Sequence, residues 1–252
     1  MSRSEGDLNR AAKYGEPSYV WRAGQERRWG MICDAVGQRM GGYVLDNGCG
    51  VGAYLEPVSN LTAEAFGLEF DHIRARAARE ISPAIIQGAG ENLPLPSAQF
   101  DVVLSMEVLE HVEDDRRALE EIVRVLNRSG DFGGGRLALF VPNRGYPFET
   151  HGVFWRGNYH FGNIPLVNYL PRRWRNKLAP HVRVYSSNDV NRLLEGLPLR
   201  IVQHTIIFGA YDNIIARWPR FGRIMRAILQ GLERTPFKLF GLSHFLVLER
   251  EE

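Results

Sequence analysis

Val44-Leu45-Asp46-Asn47-Gly48-Cys49-Gly50-Val51-Gly52 starts as an apolar run, passes through a carboxylate and breaks into three glycines within five residues. A strand ending in an acid and a glycine-rich bend lets backbone pass close to a bound nucleoside, because glycine accepts turns and approaches that side chains forbid. The spacing is G-x-G-x-G, with Ala53 where the last glycine of the dinucleotide-binding G-x-G-x-x-G pattern would fall. Pyrophosphate loops set a helix N-terminus against phosphate; here a carboxylate, Asp46, stands at the strand's end instead.

Around this loop, short apolar runs alternate with segments of helical period, the pattern of parallel strands joined by crossover helices. The runs are Tyr43-Val44-Leu45, Ala65-Phe66-Gly67-Leu68, Ala84-Ile85-Ile86, Phe100-Asp101-Val102-Val103-Leu104 and Leu137-Ala138-Leu139-Phe140-Val141. Between the last two, Ala118, Leu119, Ile122, Val123 and Leu126 recur at helical steps, with Asp114 and Asp115 at the start and Arg124 and Arg128 at the end, as a helix dipole favours. Leu199 to Phe208 and His244 to Leu248 read as further strands, and Ser186 or Ser187 as the cap of a helix through Leu194. The expected fold is therefore α/β, a doubly wound Rossmann-like sheet of seven mostly parallel strands. Residues 1–42 are expected to supply flanking helices, 43–143 the ligand-binding core, 144–185 an irregular aromatic-rich insertion after the fifth strand, and 186–252 the rest of the same domain.

The 252 residues, 44% hydrophobic and 24% charged, are ordinary for a globular chain and exclude a disordered or collagenous one. Two cysteines, Cys33 and Cys49, lack metal-ligand spacing and point to a reducing compartment. The start is polar and nothing later approaches a membrane span, so the expected location is cytoplasmic. The net charge of +2 hides an asymmetry: from Arg172 onward Lys and Arg outnumber Asp and Glu 14 to 7. A basic face of this kind suits an acidic ligand, an anionic lipid surface or nucleic acid, or is simply solvated.

The glycine loop resembles the first motif of class I S-adenosylmethionine-dependent methyltransferases of the type 11 kind, and the resemblance runs through Asn143. Gly67-Leu68-Glu69-Phe70-Asp71 matches the end of the family's second strand, where an acid accepts both ribose hydroxyls, so the resemblance gives Glu69 that role. Gly88-Ala89-Gly90-Glu91-Asn92-Leu93 looks like its adenine-side loop, and Phe100 to Val112 like its fourth strand and the turn after it. The resemblance thus implies S-adenosyl-L-methionine as cofactor, held by Asp46, Gly48, Gly50, Gly52, Glu69, Phe70, Ala89, Gly90, Glu91, Ser105 and Met106. One departure stands out: Ala89 replaces the family's usual aspartate, so a hydrogen bond to the adenine, worth about 0.5 to 1.5 kcal/mol, is missing or supplied elsewhere.

Glu107, Glu110 and His111 stand at i, i+3 and i+4, so on a helical turn their side chains would converge. Two carboxylates and an imidazole suit a hard divalent cation such as Mg2+. The E-x-x-E-H pattern is similar to that of ubiquinone-pathway O-methyltransferases and small-RNA 3′-terminal methyltransferases, which implies metal-assisted transfer to a hydroxyl, with Glu110 and His111 catalytic and His151 a further ligand. Two other readings stay open: Glu110-His111 only orders the turn, or His111 acts as a base without metal.

The insertion offers Tyr146, Phe148, Phe154, Trp155, Tyr159, His160, Phe161, Trp174 and Tyr185 as walls for a flat or apolar acceptor, or simply as packing. Arg156, Arg172, Arg173 and Arg175 could read an anionic group. Phe221, Ile224, Met225, Ile228, Leu229 and Leu232 alternate with Arg220, Arg223 and Arg226: a basic amphipathic helix that either packs on its own domain or lies on an anionic membrane. The expected partner is a small-molecule or lipid-linked acceptor, methylated on oxygen. RNA is the weaker alternative because no recognised RNA-binding module is present and +2 is little charge for backbone binding; a cofactor-binding protein without transfer is the third.

Overall fold

The computed structural model describes residues 21–62, 64–130 and 133–251. The expectations for residues 1–20, a polar start and part of the N-terminal flank, lie outside them. The first helix of the described residues, α1 (Ala23–Val36), is followed by β1 (Tyr43–Asn47), α2 (Leu55–Ser59), β2 (Glu64–Glu69), α3 (His72–Ala78), β3 (Ile85–Gln87), β4 (Val102–Met106), α4 (Asp115–Val125) and β5 (Arg136–Pro142). Two small antiparallel ribbons come next: β6 (Phe148–Glu149) pairs β9 (Ile164–Pro165), and β7 (Val153–Trp155) pairs β8 (Asn158–His160). The chain closes with α5 (Arg172–Leu178), α6 (Ser187–Leu194), β10 (Leu199–Ile207), α7 (Asp212–Arg217), α8 (Pro219–Gly231) and β11 (Ser243–Arg250).

Seven strands form one sheet in the order β10-β11-β5-β4-β1-β2-β3. β5, β4, β1, β2 and β3 run parallel, and β11 enters antiparallel between β5 and β10. The doubly wound, mostly parallel sheet expected from the alternating runs is the observed one. Central strands are buried on both faces, which is why β4, β5 and β11 read as continuous apolar runs rather than alternating ones. Successive residues still divide between layers. Val103, Leu137, Leu139, Leu246 and Leu248 meet α4 and α6 on one face; Val102, Leu104, Ala138, Phe140 and Phe245 meet Ile32 and Val36 of α1 on the other.

Local signals fix the helix ends. The Asp114 side chain accepts from the Arg117 N–H and starts α4, whose Leu119 and Ile122 are fully buried and each contribute about 1.5–3 kcal/mol of burial. Ser186 caps α6 through a reciprocal box in which the Asp189 carboxylate accepts from the Ser186 N–H at 2.9 Å. Where an irregular insertion was expected, the two ribbons and α5 give residues 148–178 regular pieces too short to carry a period.

Candidate active site

A cavity of about 950 Å3 opens at the C-terminal ends of the parallel strands. β1 ends in Asp46-Asn47 and the chain then turns through Gly48, Gly50 and Gly52, all with positive φ. Gly48 is required twice over: φ is 82°, and a Cβ would lie 2.4 Å from Cγ2 of Val108. The Gly48 and Cys49 N–H groups both donate to the Leu68 carbonyl, at 2.8 and 2.9 Å, and the Gly50 N–H donates to Oε2 of Glu69 at 2.9 Å. The bend after β1 is thereby latched to the end of β2.

Asp46 is 2% exposed, and its Oδ2 has no hydrogen-bond partner in the protein. Burial, and then the charge of Glu69, push its carboxyl up to about 7. Both side-chain ends of Asn47 are likewise buried without partners. Glu69 is also raised by burial, an effect opposed by the N–H groups of Asp71 and Gly50 that donate to it. Two neighbouring acids held above their ordinary range, one with an idle oxygen, suit a ligand that brings a cation and hydroxyl donors.

Phe70, Ala89, Gly90, Glu91 and Met106 line the same cavity. Glu91 has a second task, since its Oε1 accepts from the Glu113 N–H at 2.7 Å and fastens the turn before α4. Gly52 and Ser105 do not face the cavity: Gly52 lies over Ala78 and Ile81, and Ser105 is fully buried in β4. Sequence reasoning missed the contribution of α1, whose Gly24, Gln25, Arg27 and Arg28 close one wall. Arg28 donates to Glu107 at 2.8 Å and to Ser243 at 3.0 Å, and its guanidinium stands 4.9 Å over the Phe140 ring. These partners are 79 to 215 residues away in sequence, so no local pattern marks them.

The E-x-x-E-H segment is a turn rather than a helix, opened by Glu107 in the left-handed region at φ 58° and closed by the His111 N–H on the Val108 carbonyl at 2.9 Å. Among the described residues, Glu110, His111 and His151 bring ligand atoms within 4.8 Å of one another. Glu107 is not in that group. Burial alone would raise its carboxyl, but Arg28 and the Ser243 hydroxyl, at 2.8 and 2.6 Å, hold it below the usual range. Burial and then the Glu107 charge drive Glu110 well above that range, and the Glu110 carboxyl is hydrogen-bonded to the Glu107 carboxylate. Burial, then His151, lower His111 to about 3, so its imidazole is neutral at ordinary pH.

His151 enters from the insertion. Its Nδ1 lies 3.1 Å from Oε1 of Glu149, whose Oε2 is 2.5 Å from buried Arg175. Burial would raise Glu149, yet His151 and Arg175 together bring it down to about 2. The carboxylate holds the His151 ring by its Nδ1 edge and so fixes how the ring meets the cavity.

Of the proposed aromatic walls, Tyr159 and Phe161 line the cavity, with the Tyr159 hydroxyl on the His151 carbonyl. Trp155 and Trp174 are exposed, and Tyr185 is buried with its hydroxyl 2.9 Å from Asp115. Arg172 and Arg175 are engaged with Asp189 and Glu149, whereas Arg156 and Arg173 are exposed.

Residues 45–133 match the family model described as a methyltransferase domain. The chain is 34% identical over 130 residues, 48% of this chain and of the relative, to a probable S-adenosylmethionine-dependent methyltransferase of Mycolicibacterium smegmatis. It is 35% identical over 82 residues, 28% of this chain and 30% of the relative, to a ubiquinone biosynthesis O-methyltransferase of Rhodopseudomonas palustris. It thus spans half or less of the length of these relatives. An S-adenosylmethionine dependent methyltransferase from Mesorhizobium loti has the same fold, with a TM-score of 0.60 at 20% identity over 88% of this chain and 98% of that one.

Proposed function

We propose that the protein, whose residues 45–133 match the methyltransferase domain model, is a class I S-adenosylmethionine-dependent enzyme that transfers the methyl group of S-adenosylmethionine to a hydroxyl of a small aromatic or lipid-linked acceptor. The observation that supports it best is the adjacency, in one cavity, of the latched glycine bend and the imidazoles of His111 and His151, with Glu110 buried behind them.

The protein's part in such a transfer is placement. The sulfonium is a good leaving group that departs neutral, and holding acceptor oxygen and methyl carbon in line is worth about 7–11 kcal/mol in favourable cases. Asp46 and Asn47, with buried unpartnered polar atoms, would meet the donor's ammonium end; Glu69 would accept its ribose hydroxyls; Phe70 and the Ala89–Glu91 loop would flank its adenine. The acceptor hydroxyl must lose its proton, and the neutral imidazole of His111, with His151 beside it, stands on that side to receive it.

The cluster also fits a divalent cation, because ligand atoms of Glu110, His111 and His151 lie within 4.8 Å of one another and Nδ1 of His111 is buried without a hydrogen-bond partner. With Glu107 committed to Arg28 and Ser243, the donors are one carboxylate and two imidazoles, a set that suits manganese, iron or zinc better than the magnesium expected for two carboxylates. A cation held by Glu110, His111 and His151 would lower the pKa of an acceptor hydroxyl. The similarity to a ubiquinone biosynthesis O-methyltransferase supports a ring-hydroxyl acceptor.

Incubating the full chain with radiolabelled S-adenosylmethionine and a panel of catechols, hydroxybenzoates and quinols, with chelator and with Mn2+, Zn2+ or Mg2+ restored, tests the proposal. Label transfer to hydroxyl oxygen is expected. Binding of the donor with no transfer to any acceptor would leave the cofactor-binding protein as the better description, and transfer indifferent to chelator would leave the imidazoles acting alone.

A further inference from the structure

The connection between β10 and β11 bears an apolar surface that methyl transfer does not use. Phe221, Ile224 and Ile228 share one ridge of α8 at three- and four-residue spacing and are 60, 62 and 60% exposed. The opposite side of α8 is pressed on α7, where a Cβ on Gly222 would come within 2.8 Å of Cα of Ile215, so the ridge is fixed outward. Trp218 before it and Phe237 after it are also exposed. Of the apolar stripe read from the sequence, Met225, Leu229 and Leu232 are half-buried, while Phe221, Ile224 and Ile228 are left uncovered by the described residues. Exposed apolar surface of this kind marks an interaction site.

Charge indicates what covers it. From Asn213 to Leu232 there is no Asp or Glu, while Arg217, Arg220, Arg223 and Arg226 all fall there. The next acid, Glu233, is turned inward, its Oε2 2.6 Å from Arg27 and its Oε1 accepting from the Phe208 N–H at 2.8 Å. At about 100° per residue, Arg220 lies beside Ile224 on the exposed side of the helix and Arg223 beyond it. Cations bordering an apolar ridge match the lipid interface, where hydrocarbon lies just beneath anionic phosphates. A second copy would set these arginines against themselves with no acid to meet them.

The surface is also placed next to the cavity. Ile207 pairs Ser243, which pairs Pro142 at the end of β5, so the connection leaves the sheet at the cavity's own end, and Phe208, Ala210, Asp212 and Leu242 line the cavity. We infer that α8 docks on an anionic bilayer through Phe221, Ile224 and Ile228, holding the cavity mouth at the membrane surface. The docking stands on the surface itself; only its purpose, delivery of a lipid-dissolved acceptor, rests on the function proposed above.

Co-sedimentation of the full chain with phosphatidylcholine vesicles, pure or carrying about a third phosphatidylglycerol, tests it. Binding to the anionic vesicles is expected to be about tenfold tighter or more, to weaken with salt, and to be lost in the triple variant Phe221→Ser, Ile224→Ser, Ile228→Ser. All three positions are exposed, so circular dichroism and affinity for S-adenosylmethionine should not change; the double variant Arg220→Gln, Arg223→Gln should lose the anionic preference. Failure of the wild type to sediment with either vesicle overturns the inference. So does a wild-type dimer that the triple variant converts to monomer without any vesicle binding. Vesicle binding without methylation of any quinol or phenol supports the docking and counts against the proposed function alone.

Discussion

Nδ1 of His151 lies 3.1 Å from Oε1 of Glu149, and the other oxygen of that carboxylate lies 2.5 Å from Arg175. A buried arginine is thus connected, through one carboxylate, to a nitrogen pair at the edge of the cavity.

Substituting Glu149→Gln should leave the Arg175 charge buried without its partner, at a cost of about 3–5 kcal/mol, and should let the His151 ring turn. Glu149 titrates at about 2 when folded, against 4.5 ordinarily. The stability from its ionisation, about 3 kcal/mol, is therefore complete above that ordinary value and disappears as pH falls toward 2. Denaturant unfolding of both proteins across this range should show the gap between them closing in acid; a gap constant with pH would contradict the assignment.

Asp46 gives the opposite sign. In the free protein its carboxyl titrates at about 7, so ionising it detracts from stability as pH rises from the ordinary aspartate value to that point. A cationic ligand needs the ionised form. Affinity for S-adenosylmethionine should rise about tenfold between pH 6 and pH 8 and then level off, and Asp46→Asn should bind weakly with no such dependence. Calorimetry across that interval checks both.

Gly48→Ala should be worse than an ordinary surface change. It adds about 1–2 kcal/mol for the left-handed backbone to the contact with Val108, and the bend cannot move without breaking its hydrogen bonds to Leu68. Donor affinity should fall at least as far as stability, as a thermal-shift titration would show.

Metal dependence should track Glu110 and not Glu107. Glu110→Gln is expected to remove stabilisation by Mn2+ or Zn2+ in a melting experiment, whereas Glu107→Gln, whose carboxylate answers to Arg28 and Ser243, should retain it. Equal loss in both would return Glu107 to the ligand set.

Much of the fold was legible because its signals are local. The runs at Val44, Val102 and Leu137 are strands buried on both faces, and Asp114 and Ser186 cap the helices that follow them. The site was legible only where it is contiguous, as in the glycine bend and Glu110-His111. Arg28, Ser243 and Glu149 gave no warning, since their meaning lies in partners brought by other strands. Glu107 meets Glu110 as its spacing suggested, while a left-handed backbone and a distant arginine decide where its charge is met. The ridge at Phe221 has the period of a buried helix face, and period alone does not say whether a face is covered.

β11 occupies the position between β5 and β10, so neither of those strands is finished by anything made before residue 243. During synthesis β5 waits with an open edge, paired on one side only, until nearly the whole described chain has left the ribosome. An emerging chain of this topology therefore spends its longest exposed interval beside the half-built cavity, and a stop between α8 and β11 would leave an adhesive strand rather than a smaller working domain.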